Sequence, residues 1–333
     1  MTFGLSSIKP AIVAIDGMYF IWHSIFRAIR LWSWHNKAES KQYLTPREDG
    51  KQADLLKSDT FRESLSTSVM HTCYVVLDII EKACSEQGFN GLEIRDSVTQ
   101  LFIIDDRTGN GFRRKLFPEY KMARKIALKT HDINISKIRS YVVTHLLDDL
   151  DVWSRLGYKK VFVNGAEADD IIFMVGELYN DLPVKPIIIS SDKDLLQIPG
   201  VDQYNLKGEL IKRIDPKTKE ELTCKEFLTR KILTGDGSDN IPAIMPKCGP
   251  VKAAKLLSDK QALKESLEND PEIKQRFILN TKLIDISRMP DELRESITKT
   301  LTDVVEREEQ QVDSEGKIIN LTLKEPQNII EVL

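Results

Sequence analysis

Nine carboxylates stand in this chain where short apolar runs end or turns begin: Asp16, Asp105, Glu167, Asp169, Asp170, Asp192, Asp194, Asp236 and Asp239. Ala11–Ile15 runs straight into Asp16, and Leu101–Ile104 runs into Asp105. Val161–Val163 is followed by Glu167-Ala-Asp-Asp170, and Ile187–Ile189 leads through two serines to Asp192-Lys-Asp194. Gly235-Asp-Gly-Ser-Asp239-Asn240 closes the series. Short continuous apolar runs separated by helical patterns read as buried parallel strands, and open parallel sheets place ligands beyond the carboxyl ends of their strands. Most of these acids are therefore expected on one edge of one sheet. Two carboxylates about 4 Å apart repel by roughly 4 kcal/mol at an effective dielectric near 20, so the gathering demands a compensating charge. Hard divalent cations take oxygen ligands, and Mg²⁺ in particular keeps waters and works on phosphates. Singly, each acid reads equally well as a turn or cap residue, and those at 167–170 as complements of a helix dipole. Five such segments in order favour a shared pocket.

The charge distribution adds a second element. Net charge is −3, so no global basic field advertises a polyanion. Yet Arg113, Arg114, Lys115, Lys121, Arg124, Lys125 and Lys129 crowd one segment with a single acid, Glu119. A charge run is usually a solvated face; beginning eight residues beyond Asp105, this one suits an enzyme whose metals handle one phosphate while a basic stripe tracks the others. The cysteines Cys73, Cys84, Cys224 and Cys248 form no paired motif, and the histidines lie outside the acidic segments. That argues against zinc or a disulfide framework and for an all-oxygen site. No stretch is long enough to span a bilayer and no signal peptide precedes the first strand, so a soluble, cytoplasmic chain is expected.

The elements that must position these residues follow from periodicity. Helices are predicted over 18–31, over 62–87 through Leu65, Val69, Cys73, Val76 and Ile80, and over 136–156 with Gly157 as its C′ residue. Residues 33–60 read as a polar surface insertion and 318–323 as a short strand. A boundary near 210–225 divides an acid-bearing 1–215, including the basic segment 112–151, from a mainly helical 216–333. In the second part, Lys247-Cys-Gly249-Pro-Val-Lys252-Ala-Ala-Lys255 has the form of a helix–hairpin–helix element. There glycine admits a phosphate and a helix start offers free N–H groups.

Together these motifs resemble the 5′-nuclease family of flap endonucleases and 5′-exonuclease domains. The resemblance spans roughly residues 10–290 and rests on Phe112-Arg-Arg-Lys-Leu-Phe-Pro118-Glu-Tyr120-Lys121-Met-Ala-Arg124, Glu167-Ala-Asp-Asp170, Ser190-Ser-Asp-Lys-Asp194 and Gly235–Asn240. It implies an α/β fold with a PIN-like, mostly parallel central sheet flanked by helices and a smaller C-terminal helical domain. It implies two Mg²⁺ ions, with Mn²⁺ as a substitute. One would be held by Asp16, Asp105, Glu167, Asp169 and Asp170, the other by Asp192, Asp194, Asp236 and Asp239, with Asp192 open to sharing. Lys121 and Arg124 would stabilise charge on the scissile phosphate. Arg113, Arg114, Lys115, Tyr120 and Lys125 would contact nucleic acid. Trp22 reads either as a stacking platform for a terminal base or as a core residue. Residues 125–151 would form an arch for a single-stranded 5′ end. Gly249, Lys252 and Lys255 would bind duplex, with K⁺ on the hairpin carbonyls. Substrates would be RNA–DNA hybrid, 5′-flap and nicked duplex DNA, cleaved by a monomer that removes RNA primers in lagging-strand replication. Candidate segments for a sliding clamp or single-strand-binding protein are Met1–Leu5 and the acidic tail.

Three other readings compete. A catalytically silent junction-binding protein would use the same surface, but pure binding favours replacing repulsive carboxylates. A haloacid-dehalogenase-type phosphohydrolase wants an acid two residues after its nucleophilic aspartate, whereas Asp16 is followed by Gly17 and Met18. A PIN-type ribonuclease shares the acidic edge without needing the hairpin domain.

Overall fold

The computed structural model describes residues 9–45, 52–90, 94–106, 111–215 and 217–306. β1 (Ala11–Asp16) is buried along its whole length and lies at the centre of a five-stranded parallel sheet. β2 (Val98–Ile104) and then β3 (Tyr158–Phe162) follow on one side, β4 (Ile187–Ile189) and β5 (Asp202–Tyr204) on the other. The order β3-β2-β1-β4-β5 reverses direction between β1 and β4, the kind of switch point at which α/β sheets open a crevice.

The alternation of β1 sorts the molecule into three layers. Ala11, Val13 and Ile15 face α1 (Gly17–His35) and α3 (Asp59–Glu86), meeting Phe20, Ile25, Leu65 and Val76. Ile12 and Ala14 face the other way, onto Ile171, Ile172 and Val175 of the helix at Ala168–Leu178 and onto Ile297 and Leu301 of the helix at Asp291–Glu306. Full burial of each such side chain is worth about 1.5–3 kcal/mol. That fixes the register of the sheet and so the level at which its carboxyl ends emerge.

The segment expected as an insertion is, where described, part of the fold. α1 continues to His35, and α2 (Lys37–Leu44) follows after Asn36. Trp32 is wholly buried, meets Tyr43 and Phe61 edge-on and donates its indole N–H to Thr60 Oγ1 at 2.8 Å. Leu55 and Ala53 are buried too, and Leu56 packs on the same core. A few apolar anchors at irregular spacing hold this stretch, which is why no period announced it. Residues 52–54 then brace the basic segment. The Gln52 amide donates to the carbonyls of Leu128 (3.0 Å), Lys129 (3.3 Å) and His131 (2.7 Å), and the Ala53 N–H donates to Asp132 O at 2.7 Å.

The helix predicted over 136–156 is interrupted. After α4 (Phe112–Leu116), α5 (Met122–Thr130) and α6 (Ile135–Tyr141), residues 142–146 form a π-turn and Asp151 adopts a left-handed φ of 49°. A short helix then ends at Gly157, left-handed as expected. Ile135, Ile138, Val142, Leu146 and Leu147 are buried against the sheet layer, so this stretch is core. Only α5, which has no buried residue, stands clear as an arch would.

Downstream of α7 (Ala168–Leu178) come α8 (Cys224–Thr234), α9 (Pro250–Ser258), α10 (Lys260–Asn269), α11 (Pro271–Ile284) and α12 (Asp291–Glu306). α12 returns to pack on the sheet face. The strand expected at 318–323 and the two terminal candidates for partner contacts lie outside the described residues. Among the described residues, no helix is long and apolar enough to cross a membrane.

Candidate active site

Each acid of the sheet edge is held by the element that follows its strand. Asp16 ends β1 and caps α1, its Oδ1 accepting the N–H groups of Met18 and Tyr19, both at 3.0 Å, and its Oδ2 accepting Ser190 Oγ–H at 2.7 Å. The helix can turn away at once only because position 17 is glycine: a Cβ there would meet Ile103 O at 2.5 Å and the Phe102 ring at 2.8 Å. Asp105 follows β2 and accepts the Ala168 N–H at 2.5 Å, which ties it to the start of α7. Glu167 caps α7 in a capping box with Asp170. Asp192 caps the turn after β4 and accepts the Asp194 N–H at 2.8 Å.

Burial and like charge act on these groups together. Asp16 is pushed up to about 6, chiefly by burial, with Asp105 and Asp192 adding repulsion. Asp169, partly buried where it lines the crevice, is driven well above the ordinary carboxylate range by burial and then by Asp192, Asp16 and Glu167. Asp16, Asp105, Asp169, Asp192 and Glu167 thus form one electrostatic unit.

The second arm is not a strand end. Asp236 and Asp239 sit on a tight loop after α8, closed by reciprocal backbone bonds of 2.8 Å between Asp236 and Ile241. Gly235 permits that loop: its φ is +68°, and a Cβ would collide with the backbone of Ile241 and Pro242. Carboxylate oxygens of Asp194, Asp236 and Asp239 lie within 4.8 Å of one another. The same crevice is lined by Glu167 and Asp169, so both arms open onto one space. Buried, mutually repelling carboxylates with no histidine or cysteine among them fit hard divalent cations.

The protein's own cations meet this charge from three directions. Lys121, in a left-handed conformation (φ 57°), places Nζ 3.0 Å from Glu167 Oε2 and donates its backbone N–H to Asp239 O at 3.1 Å. Arg124 pairs with Asp239 at 2.6 Å and reaches Ser238. Lys121 and Arg113 hold Glu167 below the usual carboxylate range: burial pushes it up, but these two cations outweigh that. The third direction is that of Lys231, which sequence reasoning missed. Its ammonium bridges Asp194 and Asp236, the latter at 3.0 Å. A lysine one turn before the glycine that ends α8 overhangs the following loop, and that spacing was the available signal.

Three expected site residues take other roles. Asp170 is fully buried and accepts a two-pronged bond from Arg113, at 2.7 and 3.0 Å, while also capping the Glu167 N–H at 3.0 Å. Its oxygens are thus engaged by Arg113 and by the start of α7. Arg113 is buried with it, and also lines the crevice 3.5 Å from Glu167. Tyr120 is buried beneath the site and donates its hydroxyl to Glu167 Oε2 at 3.0 Å. Arg114 is partly exposed, and Lys115 and Lys125 are exposed. Trp22 is half-buried, packed on the core and stacked on exposed Phe26 at 5.6 Å, so both of its readings keep support. Gly249 caps α9, Lys252 lies in its first turn and Lys255 in its last, all three exposed, and a Cβ on Gly249 would meet open space.

A parallel α/β sheet whose carboxyl edge gathers acids in one crevice offers a set of oxygen ligands that fits divalent cations. Residues 68–227 match the 5′-3′ exonuclease, N-terminal resolvase-like domain. The chain is 30% identical over 194 residues to a 5′-3′ exonuclease of Buchnera aphidicola, covering 57% of this chain and 63% of that protein. It is 31% identical over 200 residues to DNA polymerase I of Rhizobium leguminosarum, covering 59% and 18%. It is 26% identical over 162 residues to flap endonuclease Xni of Shewanella piezotolerans, covering 48% and 58%. The chain thus spans less than two thirds of each of these relatives. A flap endonuclease of bacteriophage T5, solved with DNA and metal ions, shares the fold with a TM-score of 0.50 and 14% identity, over 89% of this chain and 100% of that one.

Proposed function

We propose that the chain is a Mg²⁺-dependent 5′-to-3′ exonuclease and flap endonuclease, using two ions for which Mn²⁺ can substitute. Its substrates are RNA–DNA hybrids, 5′ flaps and nicked duplex, and its role is removal of RNA primers during lagging-strand replication in the cytoplasm. The observation that carries the proposal is that carboxylates from two separate parts of the chain share one crevice with Lys121 and Arg124 at its side. A silent binding protein would have no use for so much repulsion. The motifs resemble those of the ribonuclease H of T-even bacteriophages, which supports the RNA-directed reading.

Asp16, Asp105, Glu167, Asp169 and Asp192 would hold one ion and Asp194, Asp236 and Asp239 the other, with Asp192 between them. When bound, such a pair lowers the pKa of attacking water and stabilises the leaving oxygen. The chain's own contribution is orientation and charge. Lys121 and Arg124 now pair with carboxylates; a scissile phosphate is a competing anion, and the charge growing on its oxygens draws them across. Exposed Lys115, Lys125 and Arg114 on α4 and α5 would track the flanking backbone. Gly249, Lys252 and Lys255 would hold the duplex, with K⁺ on the hairpin carbonyls.

The proposal is tested with a 5′-flap duplex and an RNA-primed template, digested with Mg²⁺ or with chelator and sized from both ends. Products released from the 5′ side only with Mg²⁺ are expected; equal cleavage in chelator would refute it. Lys121→Ala should lower the single-turnover rate by about 10²–10³-fold, with flap affinity in Ca²⁺ changed only a few-fold. Loss of affinity alone would reassign Lys121 to binding.

A further inference from the structure

Three buried side chains tie separate acid-bearing segments to one place, the last turn of α11 and the residues just after it. Arg113, which holds Asp170, donates Nε–H to Leu283 O at 3.0 Å. Gln197, one turn beyond Asp194, donates to Asp194 O at 2.9 Å and to Ile284 O at 3.1 Å, and its Oε1 accepts the Ile286 N–H at 3.0 Å. Asn280 donates both amide protons, to Ile232 O at 3.0 Å and Pro242 O at 2.8 Å. Those two carbonyls flank the loop that carries Asp236 and Asp239. Asn280 is wholly buried and its Oδ1 accepts no hydrogen bond. An orphaned buried acceptor is costly, so an amide at this position is explained by what it donates.

The turn that carries Asp194 also packs on α8, the helix that leads into the Asp236–Asp239 loop. Lys231 bridges Asp194 and Asp236, but through a flexible side chain whose charge competes with any cation placed there. The backbone contacts through Gln197 and Asn280 are short, buried and directional. A cation site needs its oxygens at a set spacing, because ligand distances for Mg²⁺ vary little around 2.0–2.1 Å.

We propose that the end of α11 is a gauge that sets the separation of the Asp194 and Asp236–Asp239 arms, with Gln197 and Asn280 as positioning residues. The inference rests on the reading above that these three carboxylates hold a divalent ion. Both residues act through backbone carbonyls, so neither touches the ion or the substrate. Their loss should therefore weaken one ion site while leaving nucleic-acid affinity in place.

The test is Mn²⁺ binding to the full nucleic-acid-free chain, counted by electron paramagnetic resonance, for wild type, Asn280→Ala, Gln197→Ala and Gln197→Glu. Gln197→Glu keeps the acceptor for Ile286 but loses both donated bonds, so it serves if the alanine variants do not fold. Wild type should bind two ions. The variants should bind one of them at least tenfold more weakly and the other within twofold. The Mg²⁺ concentration for half-maximal cleavage should rise in parallel, while KM for flap substrate at saturating Mg²⁺ stays within twofold. Variants with a lowered Tm but wild-type Mn²⁺ affinity at both sites overturn the gauge and leave the functional reading intact. A wild type that binds no Mn²⁺ sinks that reading, and the gauge with it.

Discussion

Asp169→Asn should abolish hydrolysis, by at least 10³-fold, and at the same time make the metal-free protein more stable at pH 8. The two effects share a cause. Asp169 is partly buried, and burial together with Asp192, Asp16 and Glu167 raises its pKa well above the ordinary aspartate value. A folded state that holds a proton more tightly than the unfolded chain loses stability as pH rises from the unfolded pKa through the folded one, and above both the whole penalty stands. Asp16 shows the scale: a rise from 3.8 to about 6 corresponds to about 3 kcal/mol. Asparagine keeps the shape without the ionisation, so the variant escapes the Asp169 penalty and should melt a few degrees higher in chelator at pH 8. The gap should narrow towards pH 5, where wild type carries less of its penalty. Adding Ca²⁺ should reverse the order, since ligand binding stabilises wild type by mass action. A variant less stable than wild type in chelator at pH 8 would contradict the picture of the crevice as a seat of unrelieved repulsion.

The parts of the molecule that were legible in the sequence are those with a short period. Ala11–Ile15 of β1, Leu101–Ile104 of β2 and the whole of β4 are unbroken apolar runs, buried throughout, and an acid stands at or just past the end of each. A run that is apolar at every position has both faces covered, so it belongs in the middle of a sheet, and a carboxylate where it stops lies at the sheet's carboxyl edge. Glu167 and Asp192 were legible for a related reason, since caps are local. The Gly235–Asn240 loop was legible as a motif but not as a place, because its approach to the sheet edge depends on Asn280 of α11, far along the chain. Asp170 and Arg113 were misjudged through the same gap. A carboxylate beside two crevice acids looks like a third, and only a tertiary partner from another segment turns it inward. Tyr120 lay in a basic stretch but is apolar enough to be drawn beneath Glu167. Trp32, and Leu55 with Ala53 and Leu56 beside it, anchor otherwise polar stretches, and so few residues make no period.

Removing Arg113 distinguishes the two descriptions of that residue. Its guanidinium and the Asp170 carboxylate are both buried and joined by two bonds, with a further contact from Arg113 to Glu167 at 3.5 Å. Breaking a buried pair from one side leaves an uncompensated charge and costs about 3–5 kcal/mol, so Arg113→Ala should lower the melting temperature by roughly 10 °C. Arg113→Lys should not restore it, because an ammonium cannot reproduce the planar fork. The apolar double variant Arg113→Met with Asp170→Leu should be clearly more stable than the two single losses added together, since it removes the stranded charge as well as the pair. Nucleic-acid binding supplies the decisive measurement. A phosphate-contacting arginine contributes about one unit to the slope of log affinity against log salt. The buried ion pair predicts that the folded Arg113→Ala protein keeps the wild-type slope for a flap duplex in Ca²⁺, whereas Lys125→Ala, exposed on α5, reduces it. A slope lowered by Arg113→Ala would return this arginine to the nucleic-acid path that its neighbours in the sequence suggest.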